Sequence, residues 1–176
     1  MAALLAGPVL AETLRIATYN AALTRAGPGL LLRDILKGED PQIAAVVAVI
    51  AALDADVLVL TAVDYDYGLV ALAALADRLA TVGAPYPYRF ARQPNTGLAT
   101  GLDLDGNGYL GDARDAQGYG RFAGEAGMAV LSRLPIMAAQ ARDFSDFLWC
   151  DLPGALLPDP LPAPDVQRLA TTAHWE

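Results

Sequence analysis

Apolar and polar residues alternate over residues 14–20 (L-R-I-A-T-Y-N), the two-residue period of a strand with one buried face. A loop rich in Gly and Pro, 24–29, leads to a short helix over 30–36. Asp40 then stands before Pro41, an N-cap followed by proline at the first helical position. Ile43, Val46, Val47, Ile50 and Leu53 recur behind it at helical spacing. Residues 56–60 (D-V-L-V-L) form a continuous apolar run of the kind buried on both faces of a sheet. A further helix is predicted over 69–81, and Pro85-Tyr86-Pro87 leads into a short strand at 88–91. Residues 93–126 show almost no aliphatic period and many Gly and Asp, a loop length usually reserved for function. Residues 127–132 (G-M-A-V-L-S) read as a buried strand closed by Arg133-Leu134-Pro135.

Beyond Asp151 the prolines crowd into a connector (P-D-P-L-P-A-P), and a last strand is predicted from Val166, cut off at Glu176. No internal repeat is present. Strand, helix, strand, helix, strand, long loop, strand makes an α/β domain, and the last strand has no element after it. The domain is therefore expected to be incomplete at its C-terminus.

Composition narrows the class. The 176 residues suffice for one domain with a core. Hydrophobic residues make up 55%, mostly Ala and Leu, yet no run approaches the roughly 20 residues of a membrane span. A formal charge of -8 opposes a stable coat on nucleic acid, although a bound divalent ion would reverse the local sign. Cys150 stands alone, which excludes an internal disulfide and a cysteine zinc site. His174 is the single histidine, so a His-dependent mechanism would rest on it or on other sequence. Residues 1–11 (M-A-A-L-L-A-G-P-V-L-A) read as the remnant of a signal peptide without its positive start, with a mature chain from about Glu12. A secreted or periplasmic location follows as an expectation.

The sharpest local signal is Asp103-Leu104-Asp105-Gly106-Asn107-Gly108-Tyr109. Oxygen-bearing side chains at alternate positions with glycine sixth match the first half of an EF-hand-type Ca2+ loop, in which the Tyr109 carbonyl would add an oxygen. The twelfth place is Arg114 rather than Glu, and Asp112 or Asp115 would close the shell instead, with a water. No flanking helices are predicted, so the ion's role would be structural. The alternative is an acidic Gly-rich turn without metal.

Three blocks in order, L-R-I-A-T-Y-N, D-V-L-V-L and G-M-A-V-L-S-R-L-P-I, resemble the endonuclease/exonuclease/phosphatase superfamily, its bacterial secreted branch with an Asp-rich loop most of all. The likeness covers residues 14–136 and would make 12–176 the N-terminal part of one such domain. It implies a two-sheet sandwich flanked by helices in four layers, α/β/β/α. It also implies hydrolysis of phosphodiesters or phosphomonoesters with Mg2+, the ion stabilising charge on the phosphate. Asn20 falls on the family's first-strand Asn near the metal, or equally is an Asn closing a strand on its own backbone. The family's metal-binding Glu falls on Ala62, whose methyl group binds no cation. Asp64, two residues on, would share its strand face and partly substitute; its other reading, with Asp66, is a solvated turn. Asn95, Tyr119 and Arg121 sit in loops that would line a substrate cleft or serve only to hold those loops. The general-base His, the Asp-Asn pair and the final Asp-His pair of the family are not found, and His174 reads as a structural strand residue.

No G-x-S-x-G, P-loop or dinucleotide fingerprint is present. The resemblance implies a metal-dependent phosphoesterase family member, expected to be inactive as this chain. The rival is a non-catalytic, calcium-stabilised binding protein on the same scaffold. The expected partner is a phosphate ester of unspecified type, and unpaired sheet edges would favour self-association.

Overall fold

A computed structural model describes residues 13–145, 147–148 and 151–156. The strand expected from Val166, the signal-peptide segment, Cys150 and His174 lie outside them. Four strands and three helices follow in the order β1 (Ile16–Leu23), α1 (Leu30–Lys37), α2 (Pro41–Leu53), β2 (Val57–Val63), α3 (Val70–Thr81), β3 (Tyr88–Ala91) and β4 (Gly127–Ser132), with a 3-10 turn at Ala138–Gln140. The strands form one mixed sheet ordered β1-β2-β4-β3, parallel between β1 and β2 and antiparallel elsewhere. Among the described residues it is the one sheet, where a two-sheet sandwich was expected.

The helix ends follow local chemistry. The Asp40 carboxylate accepts from Gln42 N and Ile43 N, capping α2 as its sequence predicts. Asp66, open to reading as a solvated turn, caps α3 by accepting from Val70 N at 2.7 Å and Ala71 N at 2.9 Å. No helix of the described residues is long and apolar enough to cross a membrane.

One face of the sheet makes the core. Leu23, Leu58, Leu60 and Leu131 are fully buried against Leu31 and Ile35 of α1, Ile43 and Ile50 of α2, and Leu75 and Leu79 of α3. Each such side chain contributes about 2 kcal/mol by leaving water. The other face carries Thr18, Val59, Val130 and Phe90 in one row across the strands, with Ile16 70% and Met128 65% exposed beside it. Val57 and Val59 are half-buried, so the run at 56–60 is covered on one face rather than on both.

β1 and β2 also extend three residues beyond the expected ends at Asn20 and Leu60, and the reason is bulges. The pairing shifts between Asn20 and Leu23 on β1, and between Leu60 and Val63 where β2 meets β4. Ala22 (φ +49°) and Ala62 (φ +55°) occupy the left-handed region there. The alternation that sequence reading relies on breaks at each.

The stretch 93–126 has no helix or regular strand but is ordered by its backbone. Bridges join Thr96 to Gly118 and Ala99 to Ala116, and Gly124 N donates to Thr96 O. Tyr65 N in turn donates to Gly124 O at 2.7 Å, fastening the loop to the end of β2.

Candidate functional site

The acidic loop is shaped by its own amides. Asp103 Oδ1 accepts from Gly106 N and Asn107 N, and its Oδ2 accepts from Gly108 N at 2.8 Å. Gly106 and Gly108 hold positive φ in this turn, which lets the chain wrap around the Asp103 carboxylate. Asp115 anchors the far side and is only 1% exposed. Its Oδ1 accepts from Leu104 N at 2.8 Å, and its Oδ2 accepts from Gly111 N at 3.0 Å and Asp112 N at 3.4 Å.

These bonds bring one carboxylate oxygen each from Asp103, Asp105 and Asp115 within 4.8 Å of one another. Three hard oxygen donors converging at that spacing suit Ca2+ or Mg2+ and not a thiophilic metal. Of the two residues open as closing ligand, Asp115 joins the cluster. Asp112 instead takes Asn107 Nδ2 at 2.7 Å, a bond that holds its carboxyl below the usual range, with the Arg114 amide assisting. The Asn107 Oδ1 accepts from Tyr109 N, and Tyr109 itself is largely exposed. Arg114, at the twelfth place, lies 3.8 Å from Asp105 and supplies positive charge there.

The second group lies where β1, β2 and β4 meet the loops. Asn20 Oδ1 accepts from Ala22 N, and Gln42 Nε2 donates to Ala22 O at 2.7 Å, so two side chains staple the β1 bulge. Ala62 sits in the β2 bulge, which breaks the two-residue period that would place Asp64 on its face. Asp64 is 7% exposed, with one oxygen taken by Arg25 N at 2.8 Å and the other by Ala126 N at 3.2 Å. Burial raises its pKa, and the two amides offset part of that rise.

Two residues of this group escaped the sequence reading. Arg25 spans Asp34 and Asp40, each at 2.9 Å, tying the end of β1 to α1 and to the cap of α2. Glu125, buried just before β4, accepts from Arg121 N at 2.6 Å and Nε at 2.9 Å, while Arg121 also donates to Arg25 O. The partners of the first lie 9 and 15 positions away, beyond a local motif, and the second is marked locally only by its four-residue spacing from Arg121. Tyr119 is exposed beside Arg121, and Asn95 Nδ2 donates to Ser145 O at 3.3 Å, a contact that holds loops together.

The Arg121 guanidinium holds the Glu125 carboxyl below its ordinary value of 4.5. A depressed acid binds fewer protons folded than unfolded, so its contribution is present above the unfolded value and lost as pH falls through the folded one. Wild type should therefore exceed Glu125→Gln in stability at neutral pH, with the gap closing at pH values below 4.5. Urea unfolding of both proteins across that range measures it; a pH-independent gap would remove the ion pair as its cause.

The sequence model of the Endonuclease/Exonuclease/phosphatase family matches residues 17–175. No curated protein and no solved structure matches the chain.

Proposed function

The chain belongs to the endonuclease/exonuclease/phosphatase family, and from that premise we propose that it is a phosphoesterase-type protein that holds a divalent cation in its Asp-rich loop but does not hydrolyse phosphate esters as this chain. The observation that carries the second half is at the end of β2. Where the family resemblance puts a metal-binding Glu stands Ala62, and both oxygens of the neighbouring Asp64 are engaged by backbone amides. Asp64 is thus buried and held as a backbone tie, with no second carboxylate at position 62 to share a cation's charge.

In this reading Asp103, Asp105 and Asp115 hold Ca2+ as a structural ion that fastens the loop. A Mg2+ ion at the strand ends would supply electrostatic stabilisation of a phosphate, and the family resemblance would put Asn20 near it. Its Oδ1 accepts from Ala22 N. The resemblance would also lay a second sheet over the apolar face of Ile16, Val59, Val130 and Met128, in an exported protein. Hydrolytic activity is the second reading, and the exposure of Tyr119 and Arg121 beside these strand ends favours it.

Calcium titration by calorimetry, with an Asp103→Ala/Asp105→Ala control, tests the proposal beside a magnesium-dependent assay on activated phosphodiesters and phosphomonoesters. Binding that the control abolishes, with no hydrolysis, is the expected result. Turnover that Asp64→Asn removes would establish the enzymatic reading and overturn this one.

A further inference from the structure

Of the chain's three asparagines, Asn20 precedes Ala, Asn95 precedes Thr, and Asn107 alone precedes Gly. A following glycine leaves the next backbone nitrogen unshielded by any Cβ, so it is open to reaction with the asparagine's own side-chain amide. Asn107 and Gly108 are exposed, and nothing lies within 4 Å of where a Cβ on Gly108 would be. The surrounding bonds add chemistry to this access. Gly108 N–H is aimed at Asp103 Oδ2 at 2.8 Å, and Asn107 Oδ1 accepts from Tyr109 N at 2.8 Å. A proton acceptor thus faces the attacking nitrogen, and a donor faces the oxygen on which negative charge would gather.

We propose that Asn107 is a self-modifying site, deamidated within its own loop. The Gly108 nitrogen attacks Asn107 Cγ, closing a five-membered ring, and its proton leaves toward Asp103 Oδ2. The Tyr109 N–H holds the oxyanion that forms on Asn107 Oδ1. That oxygen's electron pair returns as the Cγ–Nδ2 bond breaks, and the departing nitrogen takes the proton and leaves as ammonia. Water then opens the succinimide at either carbonyl, giving aspartate or isoaspartate at position 107. Nothing is oxidised or reduced, and water is the only co-reactant.

The consequence rests on the cation reading above: an amide beside three clustered carboxylates becomes a fourth carboxylate, and added ligand charge tightens Ca2+. The modification itself stands without that reading.

The test incubates the folded, metal-free chain at mildly alkaline pH and maps it by peptide mass spectrometry, resolving aspartate from isoaspartate. Conversion at 107, with Asn20 and Asn95 unchanged over the same period, is expected; equal rates at the three positions would overturn the proposal. Asn107→Gln should stay unmodified there, since its ring would be six-membered. Asp103→Ala should convert more slowly, whereas an unchanged or faster rate would remove Asp103 as the proton acceptor. Calcium titration of Asn107→Asp reads the consequence separately. No calcium binding in either protein would sink the cation reading while leaving the modification intact. Binding no tighter than wild type's would overturn only the link between the two.

Discussion

Gly97→Ala is expected to destabilise the chain by about 4 kcal/mol, combining overpacking with a left-handed backbone. Gly97 has φ +73°, and a Cβ there would lie 1.9 Å from the Phe122 carbonyl oxygen and 2.2 Å from its carbon. The obstacle is backbone, so no side-chain rotation relieves it. Gly97 also lies between two loop crossings, with Gly97 N donating to Gly118 O and Gly124 N to Thr96 O, so moving it disturbs the bond by which Gly124 O ties the loop to Tyr65 N at the end of β2. Thermal unfolding should fall by roughly 10 °C for a domain of this size. Gly101→Ala is the control, because φ is again +73° but nothing lies within 4 Å. It should cost only about 1–2 kcal/mol in backbone strain. Equal losses in the two variants would mean that 95–98 and 118–124 do not cross as closely as described.

That contact shows where sequence reading stops. β3 and β4 were legible to the residue, because short apolar runs between turn signals have few other ways to fold. β1 and β2 were legible only up to their bulges. Alanine at 22 and 62 gives no hint of positive φ, since the left-handed region is uncommon for any residue with a Cβ. The stretch 93–126 has no hydrophobic period because glycine–backbone contacts and paired amides order it in place of side-chain burial. Gly97, Gly118, Gly120 and Gly124 mark those approaches, but only three-dimensional proximity shows which backbone each one meets.

The candidate site divides in the same way. Asp103, Asp105 and Gly106 were legible because a turn around an acidic residue is local chemistry. The choice of Asp115 over Asp112 was not, since it depends on amides of Leu104 and Gly111 reaching across the loop. The Arg121–Glu125 pair could have been drawn from its four-residue spacing, but its bond to Arg25 O spans 96 positions, beyond any sequence window. Asp64 shows the cost of extending a strand period through a bulge. Its burial and its two amide donors make it a tie between the end of β1 and the start of β4.

Asp115→Ala should produce the other large effect, confined to the loop. The substitution strips three amide donors, on Leu104, Gly111 and Asp112, of a common buried acceptor. Bonds to a charged group are worth about 1.5–3 kcal/mol each, and water entering an otherwise exposed turn recovers part of that, leaving a net loss of roughly 3 kcal/mol. No residue of 100–116 belongs to the main core cluster, so the sheet should keep its own stability. Hydrogen exchange should show lost protection at Leu104, Gly111 and Asp112, while Leu58, Leu60 and Leu131 keep theirs. Calcium binding should vanish. Asp115→Asn separates brace from ligand, because its amide keeps one acceptor oxygen at nearly the same volume but carries no charge. Protection retained with calcium affinity lost would make the Asp115 charge the cation's requirement. If Asp115→Ala left the loop amides as protected as in wild type, the three bonds would not be what folds the loop, and the convergence of Asp103, Asp105 and Asp115 would need another cause.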